Sequence, residues 1–116
     1  TMRVIIAGGR TFNDYPLLCE KCDNILANVG TAITIVSGGC EGADNLGEEY
    51  ANERGYPVVV YPYIKALGKA GGPVRNQQMA DNADALIAFW DEFSTGTGDM
   101  IKKARKKGLL IRVINY

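Results

Sequence analysis

The chain has 116 residues, 47% of them hydrophobic and 22% charged, with 13 Lys plus Arg against 13 Asp plus Glu and no histidine. That length predicts one soluble domain spanning residues 1–116, and zero formal net charge gives no global pull toward nucleic acid or a membrane, so any anion site must be local. Without histidine, Ser-His-Asp and Cys-His nucleophile systems and the commonest zinc ligand are excluded; carboxylates, arginine, hydroxyls and backbone amides remain, and no metal or cofactor is expected.

Arg3-Val4-Ile5-Ile6-Ala7 is a continuous apolar run bounded by glycine, which predicts a central strand buried on both faces. Thr1 ahead of Met2 reads as an appended residue. No signal peptide and no apolar run of about 18 residues is present, so a cytoplasmic location is expected. Leu18, Cys22, Ile25, Leu26 and Val29 recur at helical spacing up to Gly30, which suits a helix C′ position. Cys19-Glu20-Lys21-Cys22 has redox or zinc-knuckle spacing, but it lies inside that helix without a second ligand pair and reads as core-facing thiols.

Ala32 to Val36 is a second strand. Ala43, Leu46, Gly47, Tyr50 and Ala51 form the face of a helix that closes at Gly55, and Pro57 to Tyr61 is a third strand. Pro62 to Gly72 has no clean periodicity and reads as a functional loop, before a helix starting at Pro73. Ala85 to Trp90, Thr97 to Lys107 and Leu109 to Ile114 complete the chain as strand, helix and strand. The alternation predicts a Rossmann-like three-layer α/β sandwich with a mostly parallel five-stranded sheet of order 3-2-1-4-5.

Glycine-rich segments recur where the strands end: Gly8-Gly9-Arg10, Ser37-Gly38-Gly39-Cys40-Glu41-Gly42, Gly68 to Asn76, and Ser94-Thr95-Gly96-Thr97-Gly98. In a parallel sheet these loops share one edge, where ligands bind. Glycine admits close approach of backbone N–H groups to an anion, and a following helix adds its positive dipole end. A phosphate-bearing ligand is the expectation. Arg10 can clamp a phosphate or bridge to a loop carboxylate. Asp44, at a helix start, can cap that helix or bind ribose hydroxyls, and Glu48 one turn on would share its face. Arg75 falls in the first turn of a helix, where a cation is unfavourable unless an anion is near. Ser94, Gly96, Thr97 and Gly98 place hydroxyls and amides at another helix start; Trp90, continuing the fourth strand with Phe89, can pack in the core or stack on a base. Lys102, Lys103, Arg105, Lys106 and Lys107 are the only basic cluster. Cations suit a helix C-terminus and no aromatics interleave with them, so they read as a solvated face and nucleic acid is not expected as a partner.

Gly8-Gly9-Arg10, the segment Ser37 to Asp44, the segment Gly68 to Met79 and Phe89-Trp90 through Met100 together resemble the SLOG superfamily, closest to its YspA-related bacterial and phage members. The resemblance covers nearly the whole chain. It implies a Rossmann-like domain for nucleotides or nucleotide-derived ligands, in a wider group that includes the DprA and Lonely Guy proteins; the glycine-rich loops put Gly8, Gly9, Ser37, Gly38, Gly39, Gly42 and Asn76 in the expected ligand-binding set, with Gly8, Gly38, Arg75 and Gly96 around one cleft. Lonely Guy phosphoribohydrolases resemble this chain at Arg75 and Gly96-Thr97, but carry a catalytic glutamate three residues after that threonine. Met100 stands there, and Asp99 one residue earlier is rotated by about 100°. The YspA-like pattern also has a tryptophan before Gly68, where this chain has Tyr63, Ile64 and Lys65.

Two function classes follow. The first is binding of a nucleoside phosphate or ADP-ribose-like molecule, as a sensor or sequestering protein. The second is hydrolysis of a nucleotide N-glycosidic bond, with Arg75, Asp44 and Asp99 as the catalytic candidates. A chain this small, with apolar residues in an irregular loop, is expected to form a homo-oligomer.

Overall fold

A computed structural model describes all 116 residues. Five strands, β1 (Met2–Gly8), β2 (Ile33–Ser37), β3 (Val58–Val60), β4 (Ala85–Trp90) and β5 (Leu110–Asn115), form one sheet of order β3-β2-β1-β4-β5. Every pairing is parallel, not merely most of them. The helices are α1 (Tyr15–Leu26), α2 (Ala43–Arg54), α3 (Gly71–Asp81) and α4 (Thr95–Lys106).

Side chains on successive residues of β1 point to opposite faces, and both faces are apolar. Val4 and Ile6 pack with Leu18, Cys22 and Leu26 of α1 and Ala43, Tyr50 and Ala51 of α2. Ile5 and Ala7 pack with Met79 and Ala80 of α3 and Met100, Ile101 and Ala104 of α4. Two helices on each face of a parallel sheet is the Rossmann-like arrangement, and right-handed crossovers bring the loops after β1, β2, β3 and β4 to one edge.

Local chemistry sets the helix ends, with three departures from the periodicity. Asp14 caps α1, its carboxylate accepting from the Leu17 N–H at 3.1 Å, with Pro16 in the first turn. The helix stops at Leu26, four residues before Gly30, because Ala27 and Asn28 face solvent and the chain leaves through a tight turn in which Val29 N–H donates to Leu26 O. Gly55 closes α2 in the left-handed conformation, φ 73°, its N–H reaching the Ala51 and Asn52 carbonyls. The stretch Pro62 to Gly72 is not wholly irregular: it holds a 3₁₀ helix, Lys65–Ala70, with no buried residue and a kink at Gly68. α3 and α4 each begin two residues earlier than the sequence pattern suggests, at Gly71 and Thr95, which sets Pro73, Gly96 and Thr97 inside first turns.

No helix is long and apolar enough to cross a membrane. Cys22 is buried and Cys19 half-buried, both unpaired. Burial pushes the Cys22 thiol up to about 12, as expected of a core residue and not of a redox pair.

Candidate functional site

At the carboxyl edge of the strands a cleft of about 530 Å³ opens between the loops after β1 and β2 and the first turns of α2, α3 and α4. Three helix N-termini therefore face one space, each adding a partial positive charge. Of the residues expected from the sequence, Gly8, Arg10, Asp44, Arg75, Asn76, Gly96, Thr97 and Asp99 line it. Gly9, Ser37, Gly38, Gly39, Gly42, Trp90, Ser94 and Gly98 do not.

Those outside the cleft have structural work of their own. A side chain at Gly38 would place its Cβ 2.6 Å from Arg75 Nη1 and 2.7 Å from Asp44 Oδ2, so the bare backbone lets the two ionised groups approach the loop from either side. Gly42, at φ 80°, packs against the Gly9 and Arg10 carbonyls. Ser37 donates from Oγ to Glu48 Oε2 at 2.7 Å and accepts from Gly39 N–H, which removes Glu48 from the cleft's chemistry. Trp90 donates from Nε1 to Ser94 O at 2.9 Å and packs over Gly98, its Cζ2 lying 3.3 Å from where a Cβ would be. The tryptophan braces the start of α4.

Arg75 dominates the site. It is 7% exposed, yet no carboxylate lies within ion-pair distance of it. Its Nε donates to Asn76 Oδ1 at 3.1 Å, and its Nη1 to Gly38 O at 2.5 Å and Tyr61 O at 3.3 Å; Nη2 finds only the weak acceptor Cys40 Sγ at 3.7 Å. Taking a guanidinium out of water is costly unless it is both hydrogen-bonded and charge-compensated. Neutral carbonyls meet the first need; Asp44, across Gly38 and beyond ion-pair distance, meets the second only in part.

Asp44 is the opposite pole. At 6% exposed, it accepts from Cys40 N–H at 3.3 Å. Burial raises its pKa; the Cys40 N–H and the Arg75 charge oppose that and the Glu48 charge adds to it, leaving the carboxyl pushed up to about 6. Asp99 lines the cleft but is committed: both oxygens accept from Lys103 Nζ, at 2.6 and 2.8 Å, and Asn76 Nδ2 donates to Oδ2 at 2.9 Å. Met100 is 1% exposed and packed in the core beneath α4.

Arg10 and Lys69 are exposed and make no ion pair. With Arg75 they set three cations against one uncommitted carboxylate, so a chain of zero net charge concentrates positive charge here. Cys40, Lys69 and Thr95 line the cleft although the sequence assigned them no role. All three had a usable signal in lying within the glycine-rich segments. Tyr63 donates to Gly68 O at 2.5 Å and lays its ring against Gly71 and Gly72, forming one wall where the family tryptophan was missed.

The profile of the YspA, cpYpsA-related SLOG family matches residues 2–63, from β1 through the loop after β3. The chain belongs to that family. Among solved structures it resembles DNA processing protein A (DprA) from Streptococcus pneumoniae, with a TM-score of 0.74 over 97% of this chain at 16% identity. It spans 49% of that DprA chain, so the likeness is one of fold. No match was found among curated proteins.

Proposed function

We propose that this SLOG domain binds a nucleotide-derived ligand, a nucleoside phosphate or an ADP-ribose-like molecule, in the cleft at the carboxyl edge of the sheet, as a sensor or sequestering protein. The observation that carries this reading is the buried Arg75, in no direct ion pair, facing a cleft ringed by helix N-termini. An anionic oxygen at Nη2 supplies the direct ionic partner that Arg75 lacks, with Arg10 and Lys69 meeting further phosphate charge. Asp44 is suited to accept from ribose hydroxyls. SLOG domains as a group bind nucleotide-derived ligands, which is consistent with the assignment.

Asp44 also favours a second reading. A cleft carboxyl with a pKa of about 6 is poised for proton transfer near neutrality, so hydrolysis of an N-glycosidic bond would fall to Asp44 and not to the committed Asp99. Water oxygen would bond to the sugar carbon as the bond to the base nitrogen breaks and that nitrogen takes a proton.

Mass spectrometry of small molecules co-purifying with the protein tests the binding reading, with a phosphate-bearing nucleoside derivative as the expected species. Incubation with NAD, ADP-ribose and nucleoside mono- and diphosphates should return every ligand intact. Release of free base that is lost in Asp44→Asn would establish the hydrolase instead. We further infer self-association: exposed Val59, Val60, Leu67 and Val74 are apolar surface that pairing would cover, and light scattering showing a strict monomer at high micromolar concentration would count against it.

A further inference from the structure

The Asp99 carboxylate stands just past the first turn of α4 and the Lys103 ammonium one turn later, holding both of its oxygens. Asn76 of α3 donates from Nδ2 to Asp99 Oδ2 and, at 3.3 Å, to Gly96 O. With its amide nitrogen held by the acid, Asn76 presents only its oxygen in the other direction, and Arg75 Nε donates to that oxygen. Arg75 Nη1 then reaches Gly38 O and Tyr61 O, in the loops after β2 and β3. The result is one continuous polar chain, Lys103 to Asp99 to Asn76 to Arg75, running from α4 through α3 to the sheet edge. Each link fixes the orientation of the next.

We infer that Asp99 and Lys103 are positioning residues, which set the rotation of the Arg75 guanidinium through Asn76 so that Nη2 is the edge presented to an anionic ligand. A guanidinium has five donors. The chain occupies Nε, the carbonyls occupy Nη1, and Nη2 is left toward the cleft with a sulfur in place of an oxygen acceptor. An ion pair within one helix would by itself be a small stabilising contact. Here the acid's third contact, to Asn76, ties that pair to a buried cation on another helix. It also explains why a carboxylate on the cleft wall is unsuited to take a proton from a ligand: doing so would first require breaking the bonds to Lys103.

The inference rests on the reading of Arg75 as an anion receptor, and a double-mutant cycle separates the two. The probes are ADP and inorganic pyrophosphate, titrated calorimetrically into the intact chain. Asp99→Ala should weaken both by about tenfold, Lys103→Met by about threefold and Lys103→Arg by less than about twofold. In an Arg75→Ala background Asp99→Ala should cost less than about twofold more, because the group it positions is gone. An equal loss in both backgrounds, or no loss from Asp99→Ala in the protein that keeps Arg75, would overturn the inference while leaving Arg75 as the receptor. No effect of Arg75→Ala on either probe would overturn the receptor reading itself. Should Arg75→Ala fail to fold, Arg75→Lys, which lacks the Nε donor, takes its place in the cycle. A ligand-free readout completes the test: exchange of the Arg75 Nε proton with solvent should quicken by about tenfold in Asp99→Ala, and an unchanged rate would contradict the positioning role.

Discussion

Two arginines at opposite ends of the sheet show how differently one side chain can be used. Arg54, at the end of α2 and beside the amino ends of β2 and β3, forms a two-pronged pair with Asp23 at 2.9 and 3.1 Å and lies 4.7 Å from the Tyr50 ring centre. Tyr50 donates to the same Asp23 at 2.6 Å, and the Arg54 hydrogen bond followed by the Tyr50 hydroxyl holds that carboxyl below its ordinary range. The charges cancel within the cluster and solvent reaches it. Arg75, at the carboxyl ends, is nearly dry, bonded to neutral acceptors and in no direct ion pair, with Asp44 only across Gly38. The first arrangement ties α1 to α2. The second is incomplete without a partner, and that incompleteness distinguishes a site from a scaffold.

The comparison breaks most sharply under paired truncation. Arg75→Ala should weaken binding of ADP by roughly 1.5 to 3 kcal/mol, a loss of about 10-fold to 150-fold. Arg54→Ala should leave ADP affinity unchanged and lower stability only slightly, as expected of a solvent-screened ion pair. Calorimetric titration and chemical denaturation of both variants separate the two roles; equal binding losses would erase the distinction.

Asp44 sharpens it further, because function and stability should move in opposite directions there. Its folded-state pKa lies above the ordinary 3.8, so the folded chain holds the proton more tightly. The resulting stability is present in full below pH 3.8 and is lost as pH rises through about 6. Asp44→Asn removes that loss and should raise stability at pH 8 by about 2 kcal/mol, with little gain at pH 4, while weakening ligands that carry a ribose. Denaturation curves at the two pH values check the sign, and destabilisation at pH 8 would show that the carboxylate is compensated in the fold.

A smaller effect is expected at Gly96. A Cβ there meets no atom within 4 Å, in contrast to Gly38, so substitution does not disturb the fold. Gly96→Ala should raise stability by up to about 1 kcal/mol, since alanine is the better helix former, and yet reduce ADP affinity by obstructing approach to the first turn of α4. Unchanged affinity would mean that the ligand does not approach that turn.

The sheet order was legible because the apolar runs Arg3–Ala7, closed by Gly8, and Ala85–Trp90, set between Asp84 and Asp91, alternate with helical periods, which leaves few topologies open. Helix ends were less so: nothing in Val29-Gly30 signals that α1 has stopped at Leu26. Arg75 could be singled out as a cation close behind a glycine-rich helix start, without reference to contacts, although α3 begins at Gly71 and so sets it just past the first turn where the periodicity placed it. Its acceptors could not, because Gly38 lies 37 residues away and meets it only through the crossover that stacks α3 over the loop after β2. The i,i+4 spacing of Asp99 and Lys103 was visible as a pair, but the amide that joins it to Arg75 comes from another helix. Trp90 was ambiguous for the same reason, since only the fold shows its ring turned onto Gly98.

The most direct test of the central claim is nitrogen–proton correlation spectroscopy of the labelled protein, including the arginine Nε signals, during titration with ADP. The account predicts that Arg75 Nε shifts together with the backbone amides of Gly8, Asp44 and Gly96, while Arg54 Nε stays in place. Shifts gathered around Asp23 and Arg54, or a titration that moves Arg54 and leaves Arg75 unchanged, would contradict it.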